Sequence, residues 1–170
     1  LRLSYANVGN DTGPHQIVNL FNVASNGYLG NVTVSSPNVK FSESLRPEDV
    51  TSTEVGFEIK AFQNRLFADF TYYSINSKDL IFNVPVDPAT GFTHFRDNVG
   101  EITNKGFELM IGGTPIKTDD FDWSISANIA GNKNKLVSLI EGQDFFQFTS
   151  NNSGTIDVRA QVGEGFGDIY

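Results

Sequence analysis

TNKGFELMIGGTPIKTDDFDWSISANIAG, residues 103–131, alternates apolar and polar residues twice. Phe107, Leu109 and Ile111 fall on one face of an extended chain, and Gly106, Glu108, Met110 and Gly112 on the other. After a short polar turn, Phe121, Trp123, Ile125, Ala127 and Ile129 alternate with Asp122, Ser124, Ser126, Asn128 and Ala130. A period of two predicts a strand pair. It leaves open whether another layer of protein or lipid covers the apolar face.

The same rhythm appears upstream. In TEVGFEIKAF, residues 53–62, Val55, Phe57, Ile59 and Ala61 oppose Glu54, Gly56, Glu58 and Lys60. A turn at QNR, residues 63–65, leads into LFADFTYYSIN, where Leu66, Ala68, Phe70 and Tyr72 share a face. Two strands so closely joined form a hairpin. Residues 1–8 read as a strand entering GNDTGP. QIVNLFNVA and YLGNVTVSS read as short strands around Asn26–Gly27. Residues 77–101 read as a long connection with turns at Pro88 and Gly91, and residues 113–120 as a short one. KLVSLIEG, residues 135–142, has the spacing of a turn or two of helix. The expected count is about six good strands.

The 170 residues suffice for one domain. A net charge of −8 argues against a nucleic-acid partner. With no cysteine, disulfides and thiol chemistry are excluded. No run of 18 apolar residues provides a helical span, but alternating strands escape that test.

A soluble antiparallel sheet with one wet face explains the alternation. Four features favour lipid instead. The clear strands are long enough to cross a hydrocarbon layer when tilted, and short turns alternate with long loops. The polar face carries Glu58, Lys60, Asp69, Glu108 and Asp122, which suits a hydrated interior better than a dry core. The amphipathic rings of Tyr72, Tyr73 and Trp123 suit a lipid interface. About six strands cannot close a barrel, and a lipid-exposed sheet edge is not tolerated, so the membrane reading requires further strands.

Little in the sequence points to catalysis. His15 and His94 are the two histidines, both expected in loops and without co-ligands for zinc. Asp119, Asp120 and Asp122 lack the spacing of a calcium loop. No serine sits in a nucleophile elbow, and Gly163, Gly165 and Gly167 read as a turn, not a nucleotide loop. The expectation is no catalytic residue, no metal and no cofactor. Phe92, His94 and Phe95, with Phe145, Phe146 and Phe148, are candidate contacts for a substrate or a covering partner; the alternative is that they pin their own loops.

The chain resembles the C-terminal barrel portion of SusC/RagA-type TonB-dependent outer-membrane receptors of Bacteroidota. The resemblance rests on LRLSYANVGND at 1–11, LRPEDVTSTEVGFEIK at 45–60, FQNRLFADFTYY at 62–73, NVGEITNKGFEL at 98–109 and FDWSISANIAGNKNKLVSL at 121–139. The 98–109 segment is the most specific and 15–44 the weakest. Ala6 replaces a usual glycine. VGEGFGDIY, residues 162–170, resembles the family's closing element but has Gly165 where proline is usual. The motif positions are Glu54, Gly56, Asn64, Arg65, Tyr72, Asn98, Gly100, Glu101, Asn104, Lys105, Gly106, Glu108, Trp123, Asn132 and Asn134, for which a structural role is expected.

The resemblance implies an incomplete all-β, antiparallel transmembrane barrel segment over residues 1–170, with the plug domain, the TonB-contacting segment and the remaining strands lying elsewhere. It further implies import of oligosaccharides or peptides, with a SusD-like surface lipoprotein, the TonB complex and outer-membrane lipid as partners. QNR and residues 113–120 would be periplasmic, and 9–50, 77–101 and 133–160 extracellular. The alternative is a secreted β-sandwich that binds a glycan through loop aromatics.

Overall fold

The computed structural model describes residues 1–15, 17–24, 28–140, 142–150 and 157–169. Its strands are β1 (Arg2–Asn10), β2 (Asn22–Ala24), β3 (Thr33–Ser35), β4 (Val39–Phe41), β5 (Glu48–Ala61), β6 (Leu66–Pro85), β7 (His94–Lys117), β8 (Asp122–Ser138), β9 (Phe145–Ser150), β10 (Asp157–Gln161) and β11 (Phe166–Ile169). Antiparallel pairing runs β1–β5–β6–β7–β8, and β4 adds parallel to the start of β7. β9–β10–β11 and β2–β3 form separate small sheets. The large sheet is open, with β1 and β8 at its edges.

Register makes one face continuous. Phe57 lies opposite Phe70, and Phe70 opposite Leu109, which pairs with Ile129. Val55, Tyr72, Phe107 and Gly131 form the next row, and Ile59, Ala68, Ile111 and Ala127 the row on the other side. The Phe57, Phe70 and Phe107 rings adjoin, with centroids 5.3 and 6.5 Å apart. Among the described residues no second sheet lies on them: Phe57 is 41% exposed and Ile125 58%. This is the arrangement of a lipid-facing wall, not of a sandwich core. From Phe121 to Gly131 a strand rising ~3.4 Å per residue covers about 34 Å, or about 26 Å across the bilayer at a tilt of ~40°, close to the apolar band of such barrels. A shallow apolar recess of about 510 Å³, whose walls include Ile59, Leu66, Ile111 and Ile125, lies on this face and suits acyl chains.

The buried hydrophobic residues, Val84, Val99, Leu136 and Ala160, lie outside this band. Leu136 donates its N–H to the Glu164 carbonyl and accepts from Gly163 N, so the β10–β11 turn docks on the edge of β8. Phe82 stacks on Phe166 at 5.9 Å.

Several elements differ from the sequence expectation. Residues 77–101 are mostly strand: β6 continues to Pro85 and β7 begins at His94, leaving a tip in which Asp87 caps a single turn, Pro88–Thr90. Register slips between Ser77 and Leu80 and again before Ile81, with Asp79 at φ 53°, so the parity that betrays a strand is lost there. β7 likewise continues to Lys117, and Pro115, lacking an N–H, falls where the ladder is interrupted between Gly113 and Ile116. The short turns are 62–65 and 118–121. In the first, Phe62, Gln63 and Asn64 are all left-handed. Residues 135–138 complete β8 and are not helical, because Leu136 is held by the ladder on one side and the docked turn on the other. Asn26 and Gly27 lie outside the described residues.

Candidate functional site

The face opposite the lipid-facing one is polar and charged. Arg2 crosses Gly56 to meet the Asp69 carboxylate through two donors at 2.6 and 3.1 Å, and also donates to Thr71 Oγ1 at 3.2 Å. A Cβ on Gly56 would sit 3.1 Å from that guanidinium. Lys60 pairs with Glu58 at 2.7 Å. Arg2, Asp69, Thr71, Glu108, Met110 and Asn128 help line a recess of about 530 Å³ on this wall. Paired and hydrated, these charges avoid the cost they would carry in a dry core.

Glycines on this sheet lie beneath large side chains of the preceding strand. Tyr73 covers Gly106 and reaches Asn132 Oδ1 at 3.4 Å; Phe67 covers Gly112; Phe107, on the opposite face, covers Gly131. Tyr73 therefore lies over the polar face, not at the lipid interface expected for it, because it is one residue out of parity with Tyr72. Tyr72 and Trp123 are on the lipid-facing side, Trp123 49% exposed.

The remaining motif positions are spread over the sheet. At the short-turn end, Asn64 is left-handed, and Arg65 accepts from Thr114 N and donates to the Lys117 carbonyl. On the polar face, Glu54 stands opposite Tyr73 and Glu108 opposite Thr71. Asn104 stands opposite Ile75 and Asn134, its Oδ1 buried without a hydrogen bond. Asn134 accepts from Phe166 N. Gly100 lies against Phe82, and Glu101 accepts from Asn76. Lys105 is on the lipid-facing side, opposite Lys133.

Asn98 clamps the long-loop end. Its Oδ1 accepts from Arg46 N at 2.8 Å, and its Nδ2 donates to the carbonyls of Arg46 and Asp79 at 2.8 and 2.6 Å. Asn98→Asp keeps the acceptor but sets a carboxylate oxygen against two carbonyls. Proteolysis of segment 42–47 in the folded receptor is expected to accelerate more in Asn98→Asp than in Asn98→Ala, with losses of about 1–3 kcal/mol.

Glu48 and Arg96 carry much of this end, and Arg2 the polar face in mid-sheet, although none of the three is among the motif positions. Glu48 accepts from Asn10 Nδ2 and Ile81 N, so it spans β1 to the irregularity in β6. Arg96 donates to Asn83 Oδ1 at 2.7 Å and lies over the Phe41 ring. With Asn10, Asp11, Thr12, Gly13, Ile81 and Phe82, residues Glu48, Asn83 and Arg96 line a polar recess of about 470 Å³. The available sequence signal was the broken alternation around Ser77–Leu80, which marks where side chains are re-aimed.

The candidate aromatics whose side chains are described lie in separate places. Phe92 and Phe95 share a recess of about 220 Å³ with Lys40, Val86 and Thr90. His94 opens β7 instead of lying in a loop, with Nδ1 at 2.9 Å from Thr93 Oγ1. Phe145 lies under the Arg159 guanidinium and beside a different recess that includes Pro85. The side chains of Phe146 and Phe148 lie outside the described residues. His15 is exposed and lies in a turn. Among the described residues no group of three His, Cys, Asp or Glu could hold a metal ion.

Residues 1–166 match the family described as TonB dependent receptor-like, beta-barrel. TonB-dependent receptor P26 of Formosa agariphila is 32% identical over 171 residues, which are 96% of this chain and 17% of that protein. TonB-dependent receptor P39 of the same organism is 29% identical over 171 residues, 100% of this chain and 16% of that protein. TonB-dependent receptor SusC of Bacteroides thetaiotaomicron is 31% identical over 105 residues, 61% of this chain and 10% of that protein. The RagAB peptide importer in its closed-closed state superposes with a TM-score of 0.79 at 26% identity, over 95% of this chain and 17% of that one. The chain thus spans a small part of each relative's length. A two-faced antiparallel sheet, charged on one side and lipid-facing on the other, belongs to the wall of such a receptor, and the chain is a member of the SusC/RagA-type TonB-dependent receptor β-barrel family of the outer membrane, a class of transport proteins and not of enzymes.

Proposed function

We propose that these residues form part of the wall and outer loops of a transporter that imports oligosaccharides or peptides beneath a SusD-like surface lipoprotein, energised through TonB. The observation that supports this reading best is the two-sided sheet: an uncovered apolar face joined to a face where Arg2, Asp69, Glu58 and Lys60 pair in a hydrated setting. Short turns at 62–65 and 118–121 suit the periplasmic side, and the longer segments the exterior. The barrel closes with further strands beside β1 and β8, because bare edges are not tolerated in lipid. The plug domain and the TonB-contacting segment belong to other parts of the receptor. The resemblance to a peptide importer supports peptide as one cargo class; the loop aromatics suit sugar rings equally. A secreted glycan-binding sandwich would need a second sheet over Phe57, Phe70 and Leu109, and the described residues supply none.

Deletion of the complete receptor is expected to abolish uptake of one labelled oligosaccharide or peptide pool by whole cells. Restoring the receptor should restore uptake only while the cells are energised, and the receptor should co-purify with a surface lipoprotein. Uptake that survives a protonophore, or that continues in the deletion strain for every pool, would refute the proposal.

A further inference from the structure

Parity puts three lysines on the lipid-facing side immediately beyond the apolar rows. Phe107 and Gly131 form the last of those rows. In the next row on the same face Lys105 stands directly opposite Lys133, and in the row after that Lys135 stands opposite Thr103. All three lysines are exposed. At ~3.4 Å per residue, each row is about 7 Å from the last, so the lysines occupy the depth where hydrocarbon gives way to headgroups.

These charges are not neutralised by the protein. Among the described residues, none of the three has a carboxylate oxygen within 4.0 Å, whereas Arg2, Arg46, Lys60, Lys78 and Lys117 are each held in an ion pair. Of the acids at this level, Glu101 accepts from Asn76 and is 4.0 Å from Lys78, and Asp49 stands opposite Lys78 on β5, with β6 between it and Lys105. Two like charges facing each other across a strand pair destabilise it unless something anionic lies between them. In a chain of net charge −8, this is a local concentration of positive charge on the acidic protein's membrane side. On β1, β5 and β6 the same rows carry Tyr5, Thr53, Ser74 and Asn76, uncharged hydrogen-bonding groups suited to a headgroup region.

We propose that Lys105, Lys133 and Lys135 bind the phosphate headgroup of an outer-leaflet lipid whose acyl chains lie on Phe107, Leu109 and Ile129. Charge complementarity and continuity with the apolar rows both point to a lipid, since a soluble anion would make no use of the hydrocarbon face directly below. The inference rests on that face being lipid-covered.

The test uses the complete receptor in phosphatidylcholine nanodiscs with or without bis-phosphorylated lipid A, comparing wild type with the triple variant Lys105→Gln/Lys133→Gln/Lys135→Gln. At about fivefold per surface lysine, the triple variant should hold lipid A on the order of 100-fold more weakly. Lys60→Gln, on the polar face, should leave lipid A binding unchanged, and the triple Lys→Arg variant should retain it. Heat-modifiable migration on gels reports whether each variant is folded. The proposal is overturned if the folded triple variant binds lipid A as wild type does. It is also overturned if dephosphorylated lipid A binds equally well, or if inorganic phosphate at matched concentration displaces lipid A and so marks a soluble-anion site. A wild-type receptor that inserts normally but ignores lipid A removes this site and leaves the transporter reading standing; failure to insert removes the latter.

Discussion

Ile129→Arg is expected to destabilise the membrane-inserted receptor by about 2–4 kcal/mol, whereas Met110→Arg, on the neighbouring strand but the other face, should cost far less. Ile129 is 57% exposed and pairs with Leu109 in the middle of the apolar rows, so a guanidinium there meets hydrocarbon. Met110 shares its face with Asp69 and Glu108, where the new charge meets water and carboxylates. Urea titration of the complete receptor refolded into vesicles should separate the two variants clearly. Equal midpoints for both would mean that lipid does not cover that face. The comparison is internally controlled, because both residues have similar size and both substitutions introduce the same group.

The second large effect is steric. Gly106→Val should destabilise by about 3 kcal/mol, the upper end of ordinary overpacking. Its Cβ would collide with the Tyr73 ring and lie 2.7 Å from the Gly131 carbonyl oxygen. Tyr73→Ala should therefore rescue it only in part, since the backbone contact remains. Gly131→Ala behaves differently: its nearest contacts are all Phe107 ring atoms, the closest at 2.7 Å. In a double-mutant cycle, Phe107→Ala should relieve most of the Gly131→Ala penalty. Additive penalties at Gly131 would show that the ring moves aside without cost.

The hairpins around 53–76 and 103–131 were legible because water on one side and lipid on the other impose strict alternation. Where both faces leave the bilayer, that constraint ends. Ser77 to Gly100 contains polar residues on either parity and two register slips, so a strand pair read as a loop. β4 is three residues long and pairs in parallel with a segment far along the chain, which no local pattern discloses. Leu136, Leu139 and Ile140 have helical spacing, yet Leu136 is fully buried by the β10–β11 turn, a tertiary contact. The family motif positions were readable as a set, but not what each touches. Asn98's three hydrogen bonds join segments about 20 and 50 residues away in sequence. Conversely, the lysine rows were readable in principle: Lys105, Lys133 and Lys135 share the odd parity of Phe107 and Ile129. The two aromatic groups read as loop residues from their polar surroundings; Phe92 lies in the tip between β6 and β7, whereas Phe145 opens β9 of a separate sheet.

β6 and β7 are 20 and 24 residues long, about twice what a bilayer needs. Much of the pair therefore stands clear of the membrane as a spar, with β4 alongside the first residues of β7 and Asn98 tying it to Arg46. Pulled lengthwise, such a spar loads its backbone hydrogen bonds together, in shear. Pried sideways from the tip at 86–93, it surrenders them one after another. It is stiff in thrust and weak in peel, with its built-in joint at Asp79, just above the anchorage.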